Sequence, residues 1–329
     1  MLSPILTPTP IQRVSCPEAE QRRCRLYIKR DDLLPCAFGG NKVRIAHEFL
    51  ADMARQRANA LIMYGDLRSN LCRVLSLLCR EEGVPCLMVA TSAAEADAAP
   101  SYNEEIIRRN SVEVLECPKG GIADAVDEAF SRLRAAGRVP YYIYGDRTGT
   151  GNEGVAARAY QKAYGEMCDW EGSHGLHFDL IFTPYGTGST QGGLICGSLE
   201  AGDGRAIVGI SISSRPPERA RSVLEATVRD WYEKEGKQVP PEFERHVHLE
   251  CGYTCGGYGV RSERVDSLIE EQLALNSVPL DPTYTGKALR GTLDYLSDHD
   301  IRDKDILFLH TGGLPLFFDY LEEGRGQEA

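Results

Sequence analysis

Short apolar stretches alternate with longer amphipathic stretches along most of the chain, and this alternation restricts the possible folds more than any other sequence feature. Residues 60–65 read ALIMYG, which is typical of a buried strand, and residues 69–83 carry apolar side chains at helical spacing. The pattern returns around further predicted strands at residues 85–91, 179–186, 206–213 and 305–313. Strands that alternate with helices form βαβ units, so the sequence predicts an α/β fold with parallel sheets covered by helices.

Charge and cysteine usage narrow the class of protein. The 37 Lys and Arg residues against 48 Asp and Glu residues leave a net charge of -11, which argues against nucleic acid or an anionic membrane surface as partner. No apolar run approaches the roughly 20 residues of a membrane span, and no signal-peptide pattern is visible. The 11 cysteines are scattered, with no CxxC pair and no second Cys or His pair at zinc spacing. We therefore expect reduced thiols, a cytoplasmic protein and no metal site.

The loops after the predicted strands are the candidate ligand sites, because open α/β sheets bind ligands at the carboxyl ends of their strands. Residues 186–190 read GTGST between a strand and a helix. Glycines let a backbone approach a ligand, and free amides at a helix start bind anions such as phosphate. The loop lacks the third glycine of the dinucleotide fingerprint and the lysine of the P-loop. It is either a phosphate loop or a tight turn without a ligand.

Other loops carry residues with two possible roles. Lys42 follows GGN at a helix start and is either a surface charge or a Schiff-base lysine for a carbonyl cofactor. Ser69 and Asn70 begin a helix, where they cap it and also leave amides for a carboxylate. Near the end of the chain, Tyr284 is either a packing residue or a catalytic one. Thr311 lies in HTGG at the end of a predicted strand, where it can face the ligand site.

Taken together, these motifs resemble one family. The order GGNK, SN, GTGSTQGG, DPTYTGKA and HTGG, with PTPIQR and YIKRDDL near the start, spans residues from about 8 to 317. It resembles the pyridoxal-phosphate enzymes of fold type II (tryptophan synthase β-like), in the group of D-cysteine desulfhydrase and 1-aminocyclopropane-1-carboxylate (ACC) deaminase. The resemblance implies two interleaved domains, a large one of residues 1–47 and 155–329 and a small inserted one of residues 48–154. It also implies a homodimer that acts on a small amino acid.

The resemblance assigns cofactor-binding residues. Lys42 would bind pyridoxal phosphate covalently, and later move the proton at the substrate α-carbon. Asn70 would hydrogen-bond the ring oxygen of the cofactor, and Thr311 would lie near its pyridine nitrogen. The phosphate would lie in the glycine-rich loop, on Gly186, Thr187, Gly188, Ser189 and Thr190.

The resemblance also assigns substrate-binding and catalytic residues. Ser69, with the amides of Asn70 and Leu71, would bind the substrate carboxylate. Tyr284 would lie over the cofactor as an acid or base, and Tyr258 would be the second active-site tyrosine.

Three positions depart from the family pattern. ACC deaminases have an acidic residue directly after the tyrosine of DPxY, where this chain has Thr285. A neutral partner for the cofactor's pyridine ring favours elimination over opening of the cyclopropane ring. The family's phosphate-side lysine is replaced by Ile45, for which Lys29, Arg30 or Arg44 are the possible substitutes. The segment YGDLRSN replaces GGIQSN and adds Asp66 and Arg68. Arg68 is expected to point outward; an inward Arg68 would select a second acidic group on the substrate.

The predicted function is elimination of a β-leaving group from a small, D-cysteine-like amino acid, which yields a keto acid and ammonia. The alternatives are ACC deamination to 2-oxobutyrate, and another pyridoxal-phosphate reaction such as β-replacement or racemisation. A member that binds ligand without turnover is a further alternative, supported only by Ile45.

Overall fold

The computed structural model describes residues 8–91, 100–110 and 112–325. The strands, numbered in chain order, are β1 (Ile11–Val14), β2 (Arg25–Arg30), β3 (Ala60–Gly65), β4 (Cys86–Thr91), β5 (Glu113–Cys117), β6 (Pro140–Tyr142), β7 (Leu180–Tyr185), β8 (Ala206–Ser211), β9 (His248–Glu250) and β10 (Asp305–His310). The helices are α1 (Pro17–Gln21), α2 (Asn41–Arg55), α3 (Asn70–Glu81), α4 (Tyr102–Arg109), α5 (Ile122–Ala135), α6 (Glu153–His174), α7 (Ser189–Ala201), α8 (Pro217–Lys234), α9 (Glu263–Asn276), α10 (Thr285–Asp298) and α11 (Leu314–Arg325).

The strands form two sheets. The larger sheet has the order β1-β2-β10-β7-β8-β9, in which only the pair β1–β2 is antiparallel. The smaller sheet has the order β5-β4-β3-β6 and is parallel throughout. Helices connect the parallel strands, so the predicted α/β fold is confirmed. The predicted domain limits fall inside α2 and α6, and the division at residues 47/48 and 154/155 stays a prediction.

The strand β6 is shorter than its apolar pattern suggests. The stretch PYYIYG indicates a strand up to residue 145, but β6 ends at Tyr142. The chain turns there, because the Gly145 amide donates a hydrogen bond to the Tyr142 carbonyl at 3.0 Å. This turn directs the next aromatic residue, Tyr144, toward the centre of the molecule.

Two glycines let α7 lie unusually close to α6. A Cβ atom at Gly193 would lie 2.3 Å from the Ala157 carbonyl oxygen, and one at Gly197 would lie 2.3 Å from the Tyr164 Cβ. Any side chain at these positions would push the helices apart. The close packing therefore sets the position of the amino end of α7, which follows the GTGST loop.

A buried ionic cluster joins α2 to the larger sheet and to α6. It consists of Lys29, Asp31, Arg44, Tyr160 and Glu166. Arg44 pairs with Asp31 at 3.0 Å and with Glu166 at 2.6 Å, and Lys29 pairs with Glu166 at 2.8 Å. The Tyr160 hydroxyl donates to Asp31 at 2.5 Å. Since Lys29 and Asp31 are 0% exposed, the charges in this cluster depend on one another rather than on water.

The 11 cysteines all lie among the described residues, and each is a free thiol that is buried or half-buried. These thiols agree with the sequence prediction of reduced cysteines that pack inside the protein. Among the described helices, none combines the length and the apolar character that crossing a lipid bilayer requires.

Candidate active site

A cavity of about 370 Å³ lies where the two sheets face each other. Most of its lining comes from the segments that follow β2, β3, β6, β7, β8, β9 and β10 at the carboxyl ends of the strands, and Tyr284 joins it from the segment before α10. All the predicted site residues line this one cavity: Lys42, Ser69, Asn70, Leu71, Gly186, Thr187, Gly188, Ser189, Thr190, Tyr258, Tyr284 and Thr311. Residues that are far apart in the sequence thus lie around one cavity.

Lys42 lies in the first turn of α2 and is half-buried against the cavity. The turn before it requires glycine, because Gly39 and Gly40 have φ values of 68° and 96°. Burial lowers the pKa of Lys42 from 10.5 to about 8. Within the described residues no carboxylate pairs with its ammonium group, so an appreciable part of the amine is neutral near physiological pH.

The GTGST loop leaves a helix start open to the cavity. Gly188 precedes α7 with a φ of 93°, and no side chain caps this helix. The first-turn amides of α7 therefore remain available to an anion. The Asn41 side-chain amide donates to the Thr190 hydroxyl at 2.9 Å, which joins the loop to the start of α2 and so to Lys42.

The HTGG segment packs directly on the GGNK turn. A Cβ at Gly312 would lie 2.5 Å from the Gly40 Cα, and the Asn41 amide donates to the Thr311 carbonyl at 3.0 Å. A Cβ at Gly313 would lie 2.4 Å from an Asp281 carboxylate oxygen. The backbone here is too close for side chains, which is why this end of the cavity is lined by main chain.

The start of α3 forms the opposite end of the cavity. The Ser69 hydroxyl caps α3 by accepting the Cys72 amide at 3.3 Å, and the amides of Asn70 and Leu71 precede the first helical hydrogen bond. The Asn70 side-chain oxygen accepts from Asn103 at 3.1 Å, which fixes its orientation. This helix end suits a carboxylate.

Two tyrosines close the cavity. The hydroxyls of Tyr258 and Tyr284 are 2.9 Å apart and share a hydrogen bond, while 47% of the Tyr258 surface is exposed. Burial and the neighbouring Tyr258 raise the pKa of Tyr284 well above its ordinary value. Both phenols thus hold their protons at neutral pH, and Tyr258 links Tyr284 to solvent.

Thr285 lies behind the cavity wall. It is 0% exposed, and its hydroxyl donates to Asp281 at 2.7 Å. Asp281 also accepts the amides of Thr283, Tyr284 and Thr285, so it caps α10. Burial raises the pKa of Asp281, although these hydrogen bonds oppose the rise. Among the described residues, the lining contains no Asp or Glu.

The three basic residues considered as substitutes for the phosphate-side lysine are all engaged elsewhere. Lys29 and Arg44 belong to the buried ionic cluster, and Arg30 pairs with Asp32 at 2.7 Å. None of them lines the cavity, whereas Ile45 does. That possibility was therefore wrong, because Asp31, Asp32 and Glu166 hold these side chains away from the cavity lining.

The charged pair in YGDLRSN lies outside the lining. Asp66 and Arg68 are both exposed, and Asp66 accepts the Arg68 amide at 2.9 Å. The outward orientation expected for Arg68 agrees with this position.

Among the lining residues that the sequence interpretation missed, Tyr144 and Arg215 carry polar groups that could contact a ligand. Tyr144 follows β6, and Arg215 follows β8 in the segment SISSRPP. Both come directly after strands, and that position was a usable signal. In the described residues, no group of three or more His, Cys, Asp or Glu side chains lies close enough to hold a metal ion.

The chain is similar to proteins of known type over nearly all of its length. A family model described as "Pyridoxal-phosphate dependent enzyme" matches residues 2–312. The 1-aminocyclopropane-1-carboxylate deaminase of Burkholderia multivorans is 30% identical over 327 residues, covering 95% of this chain and 94% of that protein. The D-cysteine desulfhydrase of Yersinia enterocolitica is 28% identical over 302 residues, covering 90% and 88%. A crystal structure of an ACC deaminase homologue superimposes with a TM-score of 0.83 at 28% identity, covering 97% and 93%.

The cavity fits the cofactor of that family. The amine of Lys42 can react with the aldehyde of the cofactor. The uncapped start of α7 after Gly188 can bind its phosphate. The glycine backbone at Gly312 leaves room for its flat ring to approach closely. The family resemblance and the cofactor predicted from the sequence are confirmed by these similarities. The chain therefore belongs to the pyridoxal-phosphate-dependent enzymes of fold type II.

Proposed function

We propose that this enzyme eliminates a β-leaving group from a small, D-cysteine-like amino acid and yields a keto acid and ammonia. The observation that carries the proposal is the absence of any carboxylate from the described cavity lining, with the neutral Thr285 held by Asp281 behind it. An acidic partner would keep the cofactor's ring nitrogen protonated and strengthen its electron withdrawal. Elimination of a good leaving group needs less of that withdrawal than ring opening does.

The proposed roles follow the geometry of the cavity. When bound, pyridoxal phosphate supplies an electron sink for negative charge at the substrate α-carbon. Ser69 and the amides of Asn70 and Leu71 would bind the substrate carboxylate at the start of α3. Lys42 would accept the α-proton on its neutral amine. The Tyr284 hydroxyl, supplied with protons through Tyr258, would protonate the departing group.

Cofactor capture should depend on pH through Lys42. Because its pKa is lowered to about 8, roughly a tenth of the amine is neutral at pH 7 and most of it above pH 9. The rate at which apoprotein develops the visible absorption of bound pyridoxal phosphate should rise with pH, reach half its maximum near pH 8 and level off above about pH 9. A free lysine side chain, measured with Nα-acetyl-lysine as the control, should keep rising toward its ordinary pKa of 10.5. A protein profile that follows the control would contradict the lowered pKa.

The substrate proposal is tested by incubating holoenzyme with D-cysteine, L-cysteine, β-chloro-D-alanine and ACC. We expect equal amounts of pyruvate and ammonia from D-cysteine and β-chloro-D-alanine, with sulfide released from D-cysteine, and no 2-oxobutyrate from ACC. The Lys42→Ala protein under the same conditions measures non-enzymatic decomposition. Formation of 2-oxobutyrate from ACC would replace the proposal with its alternative, ACC deamination, the activity for which the similar Burkholderia protein is named.

We also propose that the protein acts in the cytoplasm as a homodimer on a small-molecule amino acid. The free state of all its cysteines supports a reducing compartment. Sedimentation of the holoenzyme measures the oligomeric state directly.

A further inference from the structure

The cavity is positively charged although the protein as a whole carries -11. Of the residues that line it in the described chain, only Lys42 and Arg215 carry a formal charge. A phosphate monoester carries about -1.5 to -2 charges at neutral pH. Helix amides alone stabilise such a group, but a nearby cation adds a charge-assisted hydrogen bond. A cation beside the loop would therefore strengthen phosphate binding, and the proposed role of Lys42 leaves that place to another residue.

Arg215 is placed to be that cation. It lies between the end of β8 and the start of α8, next to the strand that leads into the GTGST loop. Its guanidinium donates to the carbonyl of Gly186, the first residue of the loop, at 3.2 Å. It is half-buried, and within the described residues no Asp or Glu forms an ion pair with it. A further donor bonds to the Tyr185 hydroxyl, and the remaining donors of the guanidinium are available to a ligand.

We propose that Arg215 binds the phosphate of pyridoxal phosphate together with the amides of residues 187–190. It would supply the charge for which the family uses a lysine at the position of Ile45, which is apolar and 2% exposed here. A guanidinium suits this role because its planar fork can form two parallel hydrogen bonds with phosphate oxygens. The same side chain then holds both the loop, through Gly186, and the anion inside it.

The test compares two ligands that differ only in the phosphate. Apoprotein, prepared by removing the cofactor with hydroxylamine, is titrated with pyridoxal phosphate and with pyridoxal, and binding is followed by the absorbance of the bound chromophore. In Arg215→Met the Kd for pyridoxal phosphate should rise roughly 10- to 100-fold, the effect of one charge-assisted hydrogen bond. The Kd for pyridoxal should stay within about threefold of wild type, and Arg215→Lys should recover part of the lost affinity.

Arg219→Met is the matched control, since Arg219 is an exposed arginine in the first turns of α8 that does not line the cavity. It should leave both affinities unchanged. An unchanged affinity of Arg215→Met for pyridoxal phosphate would overturn the proposal. An equal loss for both ligands would also overturn it, because Arg215 would then act only by holding the loop. The readout is independent of turnover, so it stands whether or not the proposed substrate is correct.

Discussion

Replacement of Lys42 by alanine is expected to abolish turnover and to remove the visible absorption band of the holoenzyme. Lys42 is the one lysine among the described lining residues, and its lowered pKa of about 8 makes its amine available to an aldehyde. Without it, no amine remains in the cavity to bond the cofactor covalently or to accept the α-proton. Activity should fall below detection, and the spectrum should be that of free cofactor.

Two controls separate amine chemistry from charge. Lys42→Arg keeps a positive charge but offers no amine of suitable pKa, so it should fail in the same way. Lys119→Ala removes an exposed lysine and should retain both the band and the activity. Borohydride reduction of wild-type holoenzyme should then attach the cofactor to the peptide that contains Lys42. Attachment to another lysine, or a band that survives in Lys42→Ala, would refute the assignment.

Replacement of Asp31 by asparagine is expected to lower the free energy of unfolding more than any other substitution that we propose. Asp31 is 0% exposed and binds Arg44, Tyr160 and Thr9, so its loss leaves two buried cations facing Glu166 alone. Burial by itself raises the pKa of Asp31, but the charges of Arg44 and Lys29 keep it below its ordinary value. Removing one partner of such a pair costs about 3–5 kcal/mol. Urea unfolding of the apoprotein, followed by circular dichroism, measures this loss.

The matched control is Asp303→Asn, which breaks an ion pair with Arg23 at the surface, where the two side chains are 58% and 65% exposed. Its cost should be about 0–1 kcal/mol. If the two variants lose equal stability, the cluster does not hold α2 in the way described.

The elements and the motifs could be predicted because their signals are local. Helical and strand periodicity follow from the backbone of each segment. The strands β6, β8 and β10 end before the limits that their apolar runs predict, and at β6 the reason is a turn at Gly145. Each motif follows a strand, and parallel strands bring their carboxyl ends to one edge. Lys42, Ser69 and the GTGST loop could therefore be expected in a single cavity.

The partners of charged side chains could not be predicted in this way. From the sequence, Lys29, Arg30 and Arg44 were the candidate phosphate ligands, and Arg215 was not among them. In the structure, these three candidates all pair with carboxylates, while Arg215 faces the cavity. The carboxylate of Glu166 is more than a hundred positions away from both Lys29 and Arg44, so no local pattern in the sequence reveals these pairs.

By itself, then, the sequence of this chain determined the α/β class and the order of the motifs, since backbone periodicity and glycine-rich turns are properties of neighbouring residues. The kind of cofactor followed from the resemblance of those motifs, taken together, to one family. The tertiary structure decided which cations are free and which carboxylates are hidden. It placed Thr285 and Asp281 behind the wall of the cavity and left Lys42 and Arg215 inside it. Burial and long-range pairing set the charge of the site, and these exist only once the chain has folded.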